Sequence, residues 1–299
     1  MSDLRKGFWN GIGAYASWGI FPLYWKLLSD VPVLQVISHR VLWSSVLLAG
    51  YVAVSGQAAS LRESIRMRGV LGVYAVAAML IGANWCLFVW AVSSGFIVET
   101  SLGYFINPLL SVLLGVFVLG EKLRPGQWAA VVLAASGVLY IAVSHGDVPW
   151  ISLTLATTFA CYALVKKRAP LGSVHGLTIE TGLLALPALA FLVWNEGSGN
   201  GAFLHRPAQT NALLLAAGAV TTAPLLMFAT AAQGIPMLWI GILQYIAPTL
   251  QLAIGVFVFH EPFSHERLIG FSLVWAALAL FAVEGIVAHR AAAVVPPPE

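Results

Sequence analysis

Residues 101–121 read SLGYFINPLLSVLLGVFVLGE, and residues 241–261 read GILQYIAPTLQLAIGVFVFHE. An offset of 140 residues aligns Pro108 with Pro248 and the GVFV of the first segment with the GVFV of the second. Both segments are long apolar runs that a proline interrupts, which is typical of membrane-spanning helices that line a cavity. The alignment indicates that the chain contains two copies of one structural unit.

Composition places the chain in a membrane. Hydrophobic residues make up 60% of the 299 residues and charged residues 9%, whereas a soluble domain carries about 25% charged residues. Apolar stretches of about 17 to 25 residues recur, and each is long enough to cross about 30 Å of hydrocarbon as a helix. We predict ten spans, over residues 7–29, 35–55, 69–92, 97–119, 127–144, 148–166, 174–194, 211–232, 236–259 and 267–288.

The positions of lysine and arginine predict the orientation, because translocation of basic loops is disfavoured. With the N-terminus inside, eleven of the 15 basic residues lie on the inner side, and the other four are Lys26, Arg40, Arg206 and Arg267. An even number of spans with both termini in the cytoplasm satisfies this pattern. We therefore expect a multi-pass protein of the bacterial inner membrane. The same bias accounts for the net charge of +3, so nucleic-acid binding is not indicated.

The ten spans divide into two copies of five. Because five is odd, the second copy enters the membrane from the opposite face, which gives an inverted repeat. The predicted fold is an all-α integral membrane protein with ten transmembrane helices in two inverted five-helix repeats. The repeats cover residues 1–145 and 146–290, and a disordered tail follows at 291–299. Inverted repeats let one scaffold adopt inward-open and outward-open states, so we predict transport by alternating access.

Polar residues accompany the proline on one helical face in each copy. They are Ser101, Tyr104 and Ser111 beside Pro108, and Gly241, Gln244 and Gln251 beside Pro248. Their spacing of three or four residues places them on one stripe of a helix. Polar groups that face lipid are unfavourable, so the stripes are expected on a cavity wall. An alternative remains open, in which these groups only hydrogen-bond neighbouring helices.

Four segments carry a resemblance to a known family: HRVLWS at 39–44, NWCLFVWAV at 84–92, SLGYFINPLL at 101–110 and GEKL at 120–123. They resemble the RarD branch of the drug/metabolite transporter superfamily, over essentially the whole chain. The resemblance implies an EamA-type transporter that exports small metabolites. RarD-type proteins are described as chloramphenicol-resistance permeases, and the related YddG-type members export amino acids, aromatic ones included. The second copy departs from the pattern, since HEPF at 260–263 replaces GEKL.

Charged residues within the predicted spans are candidates for function, because they are unfavourable in lipid. Arg40 lies about one turn into the second span, and His39 and Trp43 are one turn apart. An amino-acid carboxylate could pair with Arg40 while its side chain stacks on Trp43. In the alternative, Arg40 reaches the outer surface. Glu180, deep in the seventh span, could carry a coupling proton or could bond a hydroxyl on a neighbouring helix.

The predicted solute site also includes amides and tryptophans away from the interfaces. Its residues are Trp18, His39, Arg40, Trp43, Asn84, Trp85, Ser101, Tyr104, Asn107, Trp239, Gln244, Tyr245 and Gln251, with Pro108 and Pro248 as hinges.

Export of amino acids, aromatic or hydrophobic ones included, is the leading functional hypothesis. Chloramphenicol-type drug efflux and a non-transport membrane sensor are the alternatives. The chain contains no HExxH, GxSxG or nucleotide-binding loop, so an enzyme is not expected. We expect no cofactor and no bound metal. The expected partners are a small-molecule substrate and the lipid bilayer, and a monomeric state is compatible with the sequence.

Overall fold

The computed structural model describes residues 2–120, 123–145, 148–235 and 243–294, and every regular element within these ranges is helical. The apolar runs determine the helices, and glycines with positive φ end or join several of them, as at Gly95 and Gly120. The elements are α1 Ser2–Lys26, α2 Val33–Val54, α3 Ala58–Arg66, α4 Val70–Ser93, α5 Ile97–Leu119, α6 Pro125–His145, α7 Trp150–Arg168, α8 Ser173–Gly197, α9 Ala208–Gly234, α10 Ile246–Ala253 and α11 His265–Val294.

Seven helices in the described ranges are long and apolar enough to cross a membrane: α2, α4, α5, α6, α8, α9 and α11. Two shorter apolar helices are Trp150–Lys166 and Ile246–Val258. The all-helical, multi-pass character of the chain is therefore confirmed. The helices start and end within three residues of the predicted spans, except in the first, ninth and tenth spans. The helix α1 begins five residues before its predicted span, and α11 ends six residues after its own. Residues 236–242 of that span, with Trp239 and Gly241, lie outside the described residues, as does Glu121.

The helix α3 does not correspond to any predicted span. It has nine residues and carries Arg62, Glu63 and Arg66, so it is too short and too polar to cross a membrane. A turn at Gly56, with φ of 72°, joins it to the end of α2. Its side chain Leu61 packs against the cluster of Val70, Tyr74 and Ile179, which anchors α3 to α4 and α8.

Helices from the two halves of the chain pack against each other. The most extensive contacts join α6 to α11, α5 to α7, α1 to α9 and α2 to α8, and further contacts join α2 to α9, α4 to α7, α1 to α10 and α5 to α10. At the α6–α11 crossing, a Cβ on Gly137 would lie 2.7 Å from the carbonyl oxygen of Gly270. Small residues thus let the two backbones approach closely, as is usual between helices in lipid.

The helix α10 changes its winding after Ala253. Residues Ile254–Val258 form a π-helical turn, in which the N–H of Phe259 donates to the carbonyl of Ile254 at 3.0 Å. The N–H of Glu261 donates to the carbonyl of Gly255 at 2.9 Å and closes the turn. This turn carries the second GVFV, whereas the first GVFV lies in the regular helix α5.

Candidate functional site

Arg40 lies at the centre of the predicted site and is surrounded by aromatic rings. Its side chain on α2 is only 4% exposed, so it does not reach the outer surface. The guanidinium carbon lies 4.1 Å from the ring centroid of Trp85, 5.0 Å from Trp25 and 6.0 Å from Phe21. A planar guanidinium stacks favourably on such rings. The cage is therefore built by α1 and α4 around a side chain of α2.

Two of the three guanidinium nitrogens of Arg40 lack a hydrogen-bond partner in the part of the chain that the structure describes. Its Nε and Nη1 are buried and have no hydrogen-bond partner among the described residues. The ion pairs of the described residues do not include Arg40 either. A buried cation is usually paired with an anion, because its desolvation is otherwise uncompensated. The arrangement therefore suits an anionic ligand group, which would accept hydrogen bonds from the guanidinium.

Tyr104 and Asn84 form a polar network in the same core cluster as Trp25 and Trp85. The Tyr104 hydroxyl donates to Asn84 Oδ1 at 3.3 Å. Asn84 Nδ2 donates to the carbonyl of Leu155 and to the hydroxyl of Thr158, each at 2.9 Å. This network connects α4, α5 and α7. Sequence reasoning identified Tyr104 and Asn84 but not their connection.

The two proline-containing helices meet at a hydrogen bond. Ser101 of α5, which is fully buried, donates from its hydroxyl to the carbonyl of Pro248 in α10 at 2.8 Å. Gln251 donates to the carbonyl of Trp18 at 3.2 Å, and its buried Oε1 has no partner among the residues that the structure describes. These two bonds join α5 to α10 and α10 to α1. Both functions considered for these polar faces, helix contacts and cavity lining, remain compatible with this arrangement.

Other predicted residues occupy different positions around this core. Tyr245 stacks on Phe105 with 6.5 Å between ring centroids, and the buried Asn107 has an Oδ1 without a partner among the described residues. His39 packs on Phe203 at 5.0 Å between centroids, and Trp43 contacts the same ring at 6.5 Å. Both therefore face the loop before α9, and the rings around Arg40 are Trp25 and Trp85 rather than Trp43.

Glu180 of α8 is paired with Lys166 of α7. Lys166 Nζ lies 2.6 Å from Glu180 Oε1, and the Tyr162 hydroxyl donates to Oε2 at 3.0 Å. The Glu180 side chain is 1% exposed and that of Lys166 is 23% exposed. The predicted bond to a hydroxyl of a neighbouring helix is present. The lysine partner lies 14 residues earlier in the chain, near the end of α7.

Lys166→Met is expected to destabilise the protein by about 3 kcal/mol, because it leaves the Glu180 carboxylate buried without its cation. The free energy of unfolding, measured by denaturant titration in detergent, tests this expectation. The double variant Lys166→Met/Glu180→Gln is expected to recover most of the loss, since neither charge then remains. Equal destabilisation by the single and the double variant would contradict a charge-pair origin.

The N-terminal end of α5 is held by Glu261, a contact that sequence reasoning did not identify. The Glu261 carboxylate accepts the backbone N–H groups of Ile97 and Val98, each at 2.8 Å. A carboxylate at a helix N-terminus satisfies free N–H groups and complements the helix dipole. Burial raises the pKa of the Glu261 carboxyl, and the two N–H groups, Lys26 and Arg267 oppose this rise.

Further polar contacts join the helix ends beside Glu261. Lys26 at the end of α1 donates to the carbonyls of Val92 at 3.4 Å and Ser93 at 3.2 Å. Arg267 of α11 lies 3.4 Å from the carboxylate of Glu99 in α5. These contacts join the end of α1 to the end of α4, and the start of α11 to the start of α5. The charge pattern predicts that this side of the protein is the outer side.

One cavity lies away from the predicted site. It has a volume of about 620 Å³ and lies near the Glu99–Arg267 pair, between the starts of α5, α7 and α11. Its walls include Trp90, Phe96 and Trp150. None of the predicted site residues that the structure describes is among the residues that line it. Arg40 and its cage instead lie in the packed centre.

Comparison with known proteins yields matches over the chain. The EamA-like transporter family matches residues 5–143. Protein RarD of Streptomyces exfoliatus is 43% identical over 279 residues, which are 93% of this chain and 89% of the relative. The uncharacterized transporter YojE of Bacillus subtilis is 42% identical over 97% of this chain and 98% of its own length. The chloramphenicol-sensitive protein RarD of Pseudomonas aeruginosa is 31% identical over 87% of each chain.

A crystal structure with 19% sequence identity has a similar fold. Its TM-score is 0.57, and the match covers 92% of this chain and 96% of that chain. At this identity the likeness shows the fold alone.

Proposed function

Because the chain belongs to the EamA-like transporter family, with relatives that include RarD proteins, we propose that it exports small amphipathic metabolites by alternating access. Amino acids with aromatic or hydrophobic side chains are the proposed substrates. The observation that carries this proposal is the buried guanidinium of Arg40, which has unsatisfied donors and is enclosed by tryptophan rings. A carboxylate could accept bidentate hydrogen bonds from it, and an aromatic side chain could pack on the rings.

The packing of the helices supports the proposed inverted repeat. If the two halves are equivalent, then α1 corresponds to α7, α2 to α8, α4 to α9 and α5 to α10. The contact between α1 and α9 then corresponds to the contact between α7 and α4. In the same way, the contact between α1 and α10 corresponds to that between α7 and α5, and the contact between α2 and α9 to that between α8 and α4. All of these contacts are observed. This pattern is expected of two equivalent halves related by a two-fold axis in the membrane plane. We place both termini in the cytoplasm and the protein in the inner membrane, on the basis of the charge bias.

The direct test is the flux of labelled amino acids into proteoliposomes that contain the purified chain. We expect saturable flux, reduced at least several-fold in Tyr104→Ala and Gln244→Ala, because both side chains lie in the predicted polar stripes. Membrane insertion of both variants is expected to be normal. Absence of saturable flux for every amino acid would exclude the proposed substrates, and normal flux in both variants would show that the stripes are misassigned.

Proton coupling through Glu180 is a further part of the proposal. The carboxylate is buried between α7 and α8 and has a lysine partner, so a proton could exchange with that ion pair during transport. If flux in the wild type does not respond to a proton gradient, this role of Glu180 is excluded.

Drug efflux is the second candidate function, and the observation in its favour is the name of the chloramphenicol-sensitive Pseudomonas aeruginosa relative. Chloramphenicol carries no carboxylate, so the charge of Arg40 would not be needed for its recognition. Overexpression that raises chloramphenicol resistance and leaves amino-acid tolerance unchanged would favour efflux. The two functions thus differ in their dependence on Arg40.

A further inference from the structure

A groove separates the end of α2 from the short helix α3. Its volume is about 310 Å³. Small and aliphatic residues of α2 form one wall, namely Ala49, Val52 and Ala53, while Ile65 of α3 lies on the opposite wall. The alanines give the groove its depth, because a larger side chain at these positions would fill it. The interior of the groove is mostly apolar, which suits a hydrocarbon chain.

Two arginines stand at the rim of this groove. Arg62 and Arg66 are four residues apart on α3, so they lie on one face of the helix, and both are exposed and line the groove. Neither forms an ion pair with the residues that the structure describes. Two adjacent guanidinium groups can bind a phosphate through several hydrogen bonds, since their planar forks match its oxygens.

The surroundings place the groove at a membrane surface. Val54, the last residue of α2, is 92% exposed, and Met67, which follows α3, is 52% exposed. Apolar side chains this exposed beside arginines are typical of a helix that lies at the boundary between headgroups and acyl chains. Arg68 adds a third positive charge to the segment. A basic segment at this depth attracts anionic lipids.

We propose that this groove is a binding site for one anionic glycerophospholipid. The phosphate contacts Arg62 and Arg66, and the first part of an acyl chain lies along Ala49, Val52 and Ala53. The proposal is independent of the transported substrate, because the groove shares no residue with the Arg40 cage, although both include side chains of α2.

The test measures lipid binding to the purified full chain in a neutral detergent, by native mass spectrometry at increasing lipid concentration. The probes are phosphatidylglycerol, phosphatidylcholine and glycerol phosphate, which has the phosphate without acyl chains. We expect phosphatidylglycerol to bind preferentially. Because a hydrogen bond to a charged group contributes roughly a tenfold factor in affinity, Arg62→Gln/Arg66→Gln should weaken phosphatidylglycerol binding about tenfold or more.

Two further variants separate a defined site from general attraction. Arg5→Gln/Lys6→Gln removes the same charge from exposed positions of α1 and is expected to change binding less than twofold. Ala53→Leu keeps both arginines but fills the groove, so it should also weaken phosphatidylglycerol binding. The proposal is overturned if the two double variants lose affinity equally, if Ala53→Leu binds normally, or if glycerol phosphate or phosphatidylcholine binds as tightly as phosphatidylglycerol.

Discussion

Arg40→Gln is expected to reduce the kcat/KM for amino-acid export by roughly 30-fold to several thousand-fold. The range corresponds to about 2 to 5 kcal/mol, the effect of removing one partner from a buried, hydrogen-bonded charge pair. Arg40→Lys is expected to recover only part of the activity, because an ammonium group keeps the charge but cannot form the planar, bidentate contact. Flux in proteoliposomes, measured at several substrate concentrations, provides these values.

The stability of the same variants distinguishes a ligand-binding arginine from a structural one. Arg40 has no anionic partner among the described residues, so Arg40→Met removes an uncompensated buried charge. We expect its free energy of unfolding to be equal to or higher than that of the wild type. Arg206→Gln, at an exposed position, is the matched control and should transport normally. A clear loss of stability in Arg40→Met together with normal flux in Arg40→Gln would contradict the proposed site.

Glu261→Ala is expected to lower the free energy of unfolding by about 2 to 4 kcal/mol. The substitution leaves the N–H groups of Ile97 and Val98 without their acceptor at the start of α5, and bonds to a charged group contribute more than neutral ones. Glu261→Gln should lose about half as much, since its amide oxygen still accepts one neutral bond. Unfolding in denaturant, monitored by tryptophan fluorescence, measures both values.

The control for this series is Glu63→Ala, which removes an exposed glutamate from α3 and is expected to change the stability by less than about 0.5 kcal/mol. If Glu261→Ala is as stable as this control, then the carboxylate does not hold the helix in solution. A transport assay of Glu261→Gln adds a second readout, because a fixed outer end of α5 is expected to matter for the movement of the helix.

The membrane class and the helix boundaries could be predicted because the signal is local. A run such as 109–119 is apolar throughout, and length alone then determines that it crosses the membrane as a helix. The helix α3 was not predicted, because its position depends on the packing of Leu61 against a hydrophobic cluster and not on a long apolar run. The prediction of two inverted repeats stays a prediction, and it rests on the alignment of Pro108 with Pro248.

The composition of the site was only partly predictable, because helical spacing identifies residues on one face and not the neighbour that faces them. Arg40 was singled out because it is a charge within a predicted span, and its spacing to Trp43 suggested a ring from its own helix. The observed rings are Trp25 and Trp85, which other helices supply. The role of Glu261 was not predicted, since its partners are backbone N–H groups that no side-chain pattern reveals.

The tetrapeptide GVFV occurs twice, yet it winds as a regular helix at 115–118 and as a wider π turn at 255–258. The surroundings of the tetrapeptide, rather than its sequence, must therefore determine which helical conformation it adopts. At the second copy these surroundings are tightly packed, since a Cβ on Gly255 would lie 3.1 Å from Val98. If the two halves exchange conformations during transport, the exchange is between halves that differ in the winding of this helix. The inward-facing and outward-facing conformations should therefore differ in free energy even without solute, so that the empty carrier rests predominantly on one side.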